Sequence, residues 1–228
     1  MLRNLFIAVV VTIASIQVAF AGSSEEKKVG EAAVVLRELA TIPEDGIPPK
    51  LMQQAYAIAV IPDVLKVGFI FGGRRGEGVM AVRTDSGRWS NPTFITLTGA
   101  SVGFQIGASS TDLILVFKSR ASVDQITKGK ITLGGDVAIA AGPLGREASA
   151  STDIQFRSEA YSYSRSRGLF AGVSAEGASL QIDDTSNEDF YNDPNIGPNE
   201  ILSTTSRSKL PDAGKDFVRT LEHYSPAR

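Results

Sequence analysis

The sequence of 228 residues contains no cysteine and a single histidine, His223. Without cysteine the chain can form no disulfide, and it offers no thiol nucleophile, iron–sulfur ligand or cysteine-based zinc site. One histidine excludes any site that needs two imidazoles. These absences remove much of enzyme chemistry, and we predict no catalytic residues, no metal site and no cofactor. The enzymatic alternative is a hydrolase that uses a pair of carboxylates.

The charges of the chain nearly balance, with 23 Lys and Arg against 25 Asp and Glu and a net charge of −2. Such a chain has no global basic field with which to hold a nucleic acid backbone, so no nucleic acid partner is predicted. A hydrophobic content of 43% is typical of a globular protein and excludes global disorder. The length fits one domain.

The first 21 residues have the pattern of a secretory signal peptide. Arg3 precedes an apolar run at residues 5–14, and Ala19 and Ala21 place small residues where a signal peptidase cleaves. Cleavage near Ala21 would leave a mature chain of residues 22–228 in the periplasm or outside the cell. The apolar run is shorter than the roughly 20 residues that span a bilayer. A retained membrane anchor is the alternative.

Helices are predicted near both ends of the mature chain, with short strands between them. A polar lead at residues 23–28 precedes predicted helices at 31–40 and 50–54, and further helices are predicted at 121–127 and 212–224. Short apolar runs bounded by glycine, proline and polar turns predict the strands. Helical crossovers are too few for a doubly wound parallel sheet. The sequence predicts one α+β domain whose largely antiparallel sheet can close like a barrel.

Residues 183–200 carry six carboxylates and no Lys or Arg, and they are predicted to form a solvated loop. The only tryptophan, Trp89, follows a turn signal and is predicted to pack in the core rather than at a membrane interface. A local excess of positive charge surrounds the predicted helix at 121–127, and there a solvated helix face is favoured over membrane contact. This second basic group consists of Lys118, Arg120, Lys128 and Lys130.

A basic, glycine-rich segment at Gly72–Gly78 is predicted to be a polar loop between two apolar strands. It lacks the Lys-Ser/Thr ending of a P-loop, so nucleotide binding is not predicted. Guanidinium groups bind phosphate oxygens in a two-pronged way, and neighbouring phenylalanines add apolar surface for a membrane. A loop with a purely structural role is the alternative. The candidate lipid-binding residues are Lys66, Phe69, Phe71, Arg74 and Arg75.

Several separate motifs between residues 30 and 185 are similar to those of the SYLF domain family, also called the Ysc84 actin-binding or DUF500 family. Their order and spacing are those of the family. The motifs are KVGFIFGGRRGEGV at 66–79, WSNPTF at 89–94, GFQIG at 103–107 with Thr111-Asp112, LGGD at 133–136, AGPLGR at 141–146 and YSRSRGLFAGV at 163–173.

The resemblance implies a non-enzymatic lipid-binding domain over residues 22–228. Members in eukaryotes bind phosphoinositides and in some cases actin, and they are usually fused to SH3 or FYVE modules. The predicted secretion signal argues against actin and phosphoinositides as partners here. The resemblance also implies lipid contacts by basic residues and by an N-terminal amphipathic segment, for which Val35, Leu36 and Leu39 are the nearest match.

The residues and the resemblance together predict a phospholipid-binding protein of the bacterial envelope. It would contact anionic headgroups, or an anionic membrane surface, through the basic glycine-rich loop. The alternative is a structural or protein-interaction module of the periplasm that has an envelope protein as its partner and no lipid preference.

Overall fold

The computed structural model of the protein describes residues 24–38, 46–68, 71–102, 107–145, 157–166 and 169–226. The predicted signal peptide at residues 1–21, the candidate Phe69 and the side chain of Phe71 lie outside the described part. Within that part, no helix is long and apolar enough to cross a membrane.

Six helices and nine strands make up the described chain. The helices are α1 (residues 24–38), α2 (Pro49–Gln54), α3 (Arg120–Lys128), α4 (Asp184–Tyr191), α5 (Pro198–Ser203) and α6 (Asp212–Tyr224). The strands are β1 (Ala57–Gly68), β2 (Phe71–Val82), β3 (Thr93–Val102), β4 (Gly107–Phe117), β5 (Ile131–Thr132), β6 (Ile139–Ala141), β7 (Ala160–Ser166), β8 (Leu169–Gly172) and β9 (Ala178–Ile182).

The strands form a single sheet in the order β5-β9-β3-β2-β1-β4-β7-β6, and β8 also pairs with β7. Every pair is antiparallel except β6 with β7. The sheet is strongly curled into a half-barrel, with helices at the N- and C-terminal ends. These features confirm the predicted α+β class and the largely antiparallel sheet.

The sheet buries both of its faces, so the fold has two hydrophobic cores. Helices α1, α2, α4 and α6 pack on one face, where the core includes Val60, Val79 and Ile114. Helix α3 and Leu202 of α5 pack on the other face, against Ile61, Met80 and Leu115. We call these the α1 face and the α3 face. Alternate residues of each strand serve opposite faces, which explains the nearly continuous apolar runs in β1 and β4.

Helix α1 begins at residue 24, so the predicted polar lead at residues 23–28 is wrong for residues 24–28. One side of the helix is fully packed against the sheet, because Val35 and Leu36 are both buried. Their burial means that these two residues do not form an exposed lipid-binding surface in this structure. The third residue of the amphipathic segment, Leu39, lies outside the described part.

Strand β1 contains a β-bulge at Pro62 and Asp63, which adds one residue relative to both neighbouring strands. The Asp63 backbone has φ of 50°, a left-handed conformation that is unusual for a residue other than glycine. Strand β2 passes very close to this bulge: a Cβ atom on Gly78 would lie 2.2 Å from the backbone oxygen of Val60. Only glycine fits at that point of contact.

The prediction of a loop at Gly72–Gly78 is wrong. The whole segment lies inside β2 and pairs with β3, and it is residues 69–70 that join β1 to β2. Glycine here permits close contact between strands instead of forming a turn.

The acidic segment at residues 183–200 is also more ordered than predicted, because it contains α4 and the start of α5. Asp183 caps α4 by accepting a hydrogen bond from the Ser186 amide at 3.1 Å, and Pro198 occupies the first turn of α5. Both are ordinary helix-start signals, and here they decide the structure in spite of the many carboxylates.

The predicted core position of Trp89 is confirmed, since its side chain is fully buried. Its Nε1 donates a hydrogen bond to the backbone oxygen of Ser225 at 2.9 Å, and the guanidinium of Arg83 lies 4.5 Å from the ring centroid. Arg83 itself is buried and donates to the oxygens of Ala55, Gly87 and Ser225 at 2.8–3.0 Å. This cluster, which we call the Arg83 anchor, holds the end of α6 against the start of the sheet.

We expect Gly78→Ala to destabilise the protein by about 3 kcal/mol or more, because the added methyl group would overlap backbone atoms that cannot move independently. Gly73→Ala is the matched control in the same strand, since its nearest atom would be 4.0 Å away. We expect the control to change the free energy of unfolding by about 0.5 kcal/mol or less. Urea unfolding followed by circular dichroism measures both. Equal effects of the two substitutions would contradict the close-contact explanation.

We expect Arg83→Lys to lower the free energy of unfolding by about 2–4 kcal/mol, because an ammonium group cannot reach all the acceptors of the planar guanidinium. Arg88→Lys is the control: Arg88 is exposed and donates to the hydroxyl of Thr205 at 2.6 Å. We expect Arg88→Lys to lower the free energy of unfolding by about 0.5 kcal/mol or less. The same denaturation assay applies, and a stable Arg83→Lys variant would show that the anchor is not important for stability.

Candidate functional site

The predicted basic residues lie near the hairpin end of β1 and β2, but they are divided between the two faces of the sheet. Lys66 is directly opposite Arg74, and Leu65 is directly opposite Arg75. Residues opposite each other share a face, and successive residues of a strand alternate. Lys66 and Arg74 therefore belong to the α3 face, whereas Arg75 belongs to the α1 face.

Arg75 is part of an ion-pair network with α1. Its guanidinium lies 3.1 Å from the Glu77 carboxylate, and the Lys28 ammonium lies 2.7 Å from the same carboxylate. Lys28 also pairs with Glu25 at 3.0 Å. The hydrogen bonds from Lys28 and Arg75 lower the pKa of Glu77. The charge of Arg75 is thus balanced within the protein.

Arg74 has no carboxylate partner within the described residues. Its Nη2 donates to the backbone oxygens of Ala175 and Glu176 at 3.1 and 2.7 Å, which fixes the turn before β9. Its Nε is buried and makes no hydrogen bond in the described part of the chain. Burial lowers the pKa of the guanidinium, because the charged form loses hydration. The result is a half-buried cation that is held in place but not neutralised.

Lys66 is exposed and also has no ion pair among the residues described. Like charges directly opposite each other on two strands repel and destabilise a sheet. Lys66 and Arg74 form such a pair, which we call the basic pair, and no carboxylate compensates it in the described structure. The basic pair is the part of the predicted site that an anion could occupy.

The two predicted phenylalanines add little to the observed site. Phe69 lies outside the described residues. Phe71 begins β2 and is paired with Val102 of β3, but its side chain lies outside the described part. The apolar side chain that the structure does show beside the basic residues is Leu65, which is 47% exposed on the α1 face.

A groove that sequence reasoning missed lies between α1 and strands β1, β4 and β7, with a volume of about 830 Å³. Its floor is a charged network around the buried Asp112, which accepts hydrogen bonds from the Asp63 amide at 3.0 Å and from Arg165 Nε at 2.6 Å. Arg165 also pairs with Glu38 of α1. Burial raises the pKa of Asp112, and the carboxylates of Asp63 and Glu31 raise it further, against the lowering effect of the backbone hydrogen bond.

The residues of this network lie on four separate elements, so no local motif marks them as a group. The only signal in the sequence is that Asp112 and Arg165 both fall in family motifs. The network binds α1 to the sheet, and the groove beside it is a second concave surface of the molecule.

Two further sequence features, the single histidine and a G-x-S-x-G string, do not form a catalytic arrangement within the described residues. His223 packs edge-on against Tyr224 in α6, with ring centroids 4.7 Å apart. The string Gly99-Ala-Ser-Val-Gly103 matches the G-x-S-x-G motif, but residues 99–102 lie inside β3 and not at a turn from strand to helix. Among the described residues, no group of three or more His, Asp and Glu side chains could hold a metal ion.

The second basic group is partly neutralised. Arg120 begins α3 and lies 3.2 Å from the carboxylate of Asp85 and 3.9 Å from that of Asp124. This pairing favours the predicted solvated helix face over a membrane contact.

Comparison with known proteins gives a consistent assignment. Residues 98–224, more than half of the chain, match the family described as Ysc84, Las17-binding protein actin regulator. Protein YSC84 of Saccharomyces cerevisiae is 42% identical over 179 residues, which are 77% of this chain and 37% of the relative. SH3 domain-containing YSC84-like protein 1 is 38% identical in Xenopus laevis, over 78% of this chain and 54% of the relative.

The human SH3 domain-containing YSC84-like protein 1 is 37% identical over 174 residues, which are 74% of this chain and 50% of the relative. The chain thus spans between 37% and 54% of the length of these relatives. The resemblance seen in the motifs is confirmed, and the chain belongs to the Ysc84 family.

Proposed function

We propose that this non-enzymatic binding module holds anionic phospholipid at the basic pair, Lys66 and Arg74, on the surface of a bacterial envelope membrane. The single observation that carries the proposal is the uncompensated cross-strand pair of cations. Two like charges in register are unfavourable in the free protein. A phosphate group placed between them would remove that repulsion.

The two members of the pair have different roles in the proposal. Arg74 is held rigidly by the carbonyl groups of Ala175 and Glu176, so little side-chain freedom is lost when it binds a phosphate oxygen. Lys66 is exposed and supplies a second, mobile charge. Arg75 has no part in this site, because it lies on the opposite face and is paired with Glu77.

The proposed location follows from the predicted signal peptide, which would deliver the mature chain to the periplasm or the exterior. Phospholipid headgroups would supply an anionic surface there. Attraction to such a surface is worth about 1 kcal/mol for each basic residue near it and is weakened by salt.

We expect Lys66→Gln to weaken binding to vesicles of phosphatidylglycerol and phosphatidylcholine by about fivefold, because one basic residue near an anionic surface contributes about 1 kcal/mol. Arg75→Gln is the matched control, since it removes the same charge from the adjacent register position on the other face. We expect Arg75→Gln to weaken vesicle binding less than Lys66→Gln does. Vesicle sedimentation at low and high salt measures binding of the intact chain.

Equal losses in the two variants would show that only net charge matters and would contradict a site at the basic pair. Equal binding of the wild-type protein to vesicles of phosphatidylcholine alone would contradict the preference for anionic lipid. The Lys66 side chain makes no hydrogen bond or ion pair among the described residues, so the variant is expected to fold normally, which circular dichroism verifies.

A protein-interaction module is the second candidate function, and the names of the relatives favour it. The matched family is described as Las17-binding and actin-regulating, and several relatives contain SH3 domains by name. The groove beside α1 would be the docking place for a protein partner in this case. Co-sedimentation with filamentous actin, and the absence of any vesicle binding, would favour this function over the lipid proposal.

A further inference from the structure

A cleft distinct from the α1 groove lies at the opposite end of the sheet from the basic pair. It is a cleft of about 370 Å³ between the start of β1, the turn after β2, and helices α3 and α5. Its volume is at the small end of the range of about 300–1,000 Å³ that is usual for ligand sites. The basic pair and the α1 groove share no residue with it.

The floor of the cleft is apolar. Val82, Val123 and Leu202 are buried there and belong to the core of the α3 face. The ring of Tyr56 packs against this core and remains partly exposed along the cleft. The site therefore offers both an aliphatic surface and an aromatic ring to a bound molecule.

The charged groups of the cleft balance one another. Arg120 lies 3.2 Å from Asp85 and 3.9 Å from Asp124, so these three side chains form a local network. The guanidinium of Arg83, which also lines the cleft, donates to backbone oxygens of the Arg83 anchor. Two arginines and two aspartates give a formal charge of zero, which favours neither an anion nor a cation as ligand.

Neutral hydrogen-bonding groups dominate the rim. The Tyr56 hydroxyl and the Asn199 amide make no hydrogen bond within the described part of the chain, so both are accessible to a ligand. The other rim hydroxyls already form hydrogen bonds within the protein and keep lone pairs with which to accept from a ligand. Burial raises the pKa of Tyr56, so its hydroxyl remains a neutral donor. The nearby charge of Arg120 opposes this shift, and the carboxylates of Asp124 and Asp85 add to it. The other rim residues are Thr84, Ser86, Thr127, Ser203 and Thr205.

We propose that this cleft binds a small, neutral, polyhydroxylated ligand, namely a single sugar ring. Each hydroxyl group of a sugar both donates and accepts, which suits a rim of hydroxyl, amide, guanidinium and carboxylate groups. The C–H face of the ring would lie against Tyr56 and the apolar floor. The zero formal charge spares the site the desolvation of an unpaired ion.

The test is saturation-transfer NMR of the intact chain with glucose, N-acetylglucosamine and galactose, followed by titration of any sugar that binds. We expect saturable binding of at least one sugar. Tyr56→Phe removes only the hydroxyl and should weaken binding by about threefold to tenfold, the effect of one hydrogen bond. Ser203→Trp places a large side chain at the exposed rim and should abolish binding.

Tyr224→Phe is the control, because Tyr224 lies on α6 and does not line the cleft; it should bind as the wild type does. Absence of saturable binding of all three sugars at millimolar concentration would overturn the proposal. Binding that survives Ser203→Trp, or that is reduced equally by Tyr56→Phe and Tyr224→Phe, would also overturn it. These three outcomes are independent of the vesicle experiments, since those concern the other end of the sheet.

Discussion

The fold depends on the contact between Gly78 and the bulged part of β1. The bulge at Pro62 and Asp63 inserts one residue, and because side chains alternate along a strand, every later residue of β1 changes face. Before the bulge Val60 is opposite Val79, whereas after it Lys66 is opposite Arg74. Without the extra residue Lys66 would point to the α1 face. The composition of the basic pair is thus a consequence of the bulge.

The sequence was informative wherever a local signal decides the structure. Apolar runs marked the central strands, the helices predicted at 50–54, 121–127 and 212–224 correspond to α2, α3 and α6, and the position of Trp89 in the core was correct. The glycines at Gly72–Gly78 led to the wrong prediction of a loop, because glycine occurs both in turns and where two strands lie unusually close together. The register shift in β1 was not predictable, since it depends on a contact between strands and not on alternation within one strand.

The candidate site was predictable in its residue types but not in its arrangement. Lys66, Arg74 and Arg75 are close in sequence, and simple counting treats their charges as equivalent. The structure separates them: Glu77 and Lys28 bind Arg75 into a network, while Arg74 donates to carbonyl groups and has no ion pair among the described residues. Glu77 was visible in the sequence, but Lys28 comes from a helix about fifty residues earlier, and its contact with the strand is a tertiary one.

The Arg83 anchor has a consequence for how the chain folds. It joins the loop before β1, the turn after β2 and Ser225, and the hydrogen bonds to Ser225 span 136 and 142 residues of sequence. Closing so long a loop has a high entropic cost, which is recovered only when the intervening sheet is already formed. We therefore expect docking of α6 to be a late event in folding, and the burial of the single tryptophan would provide an intrinsic fluorescent reporter of that step.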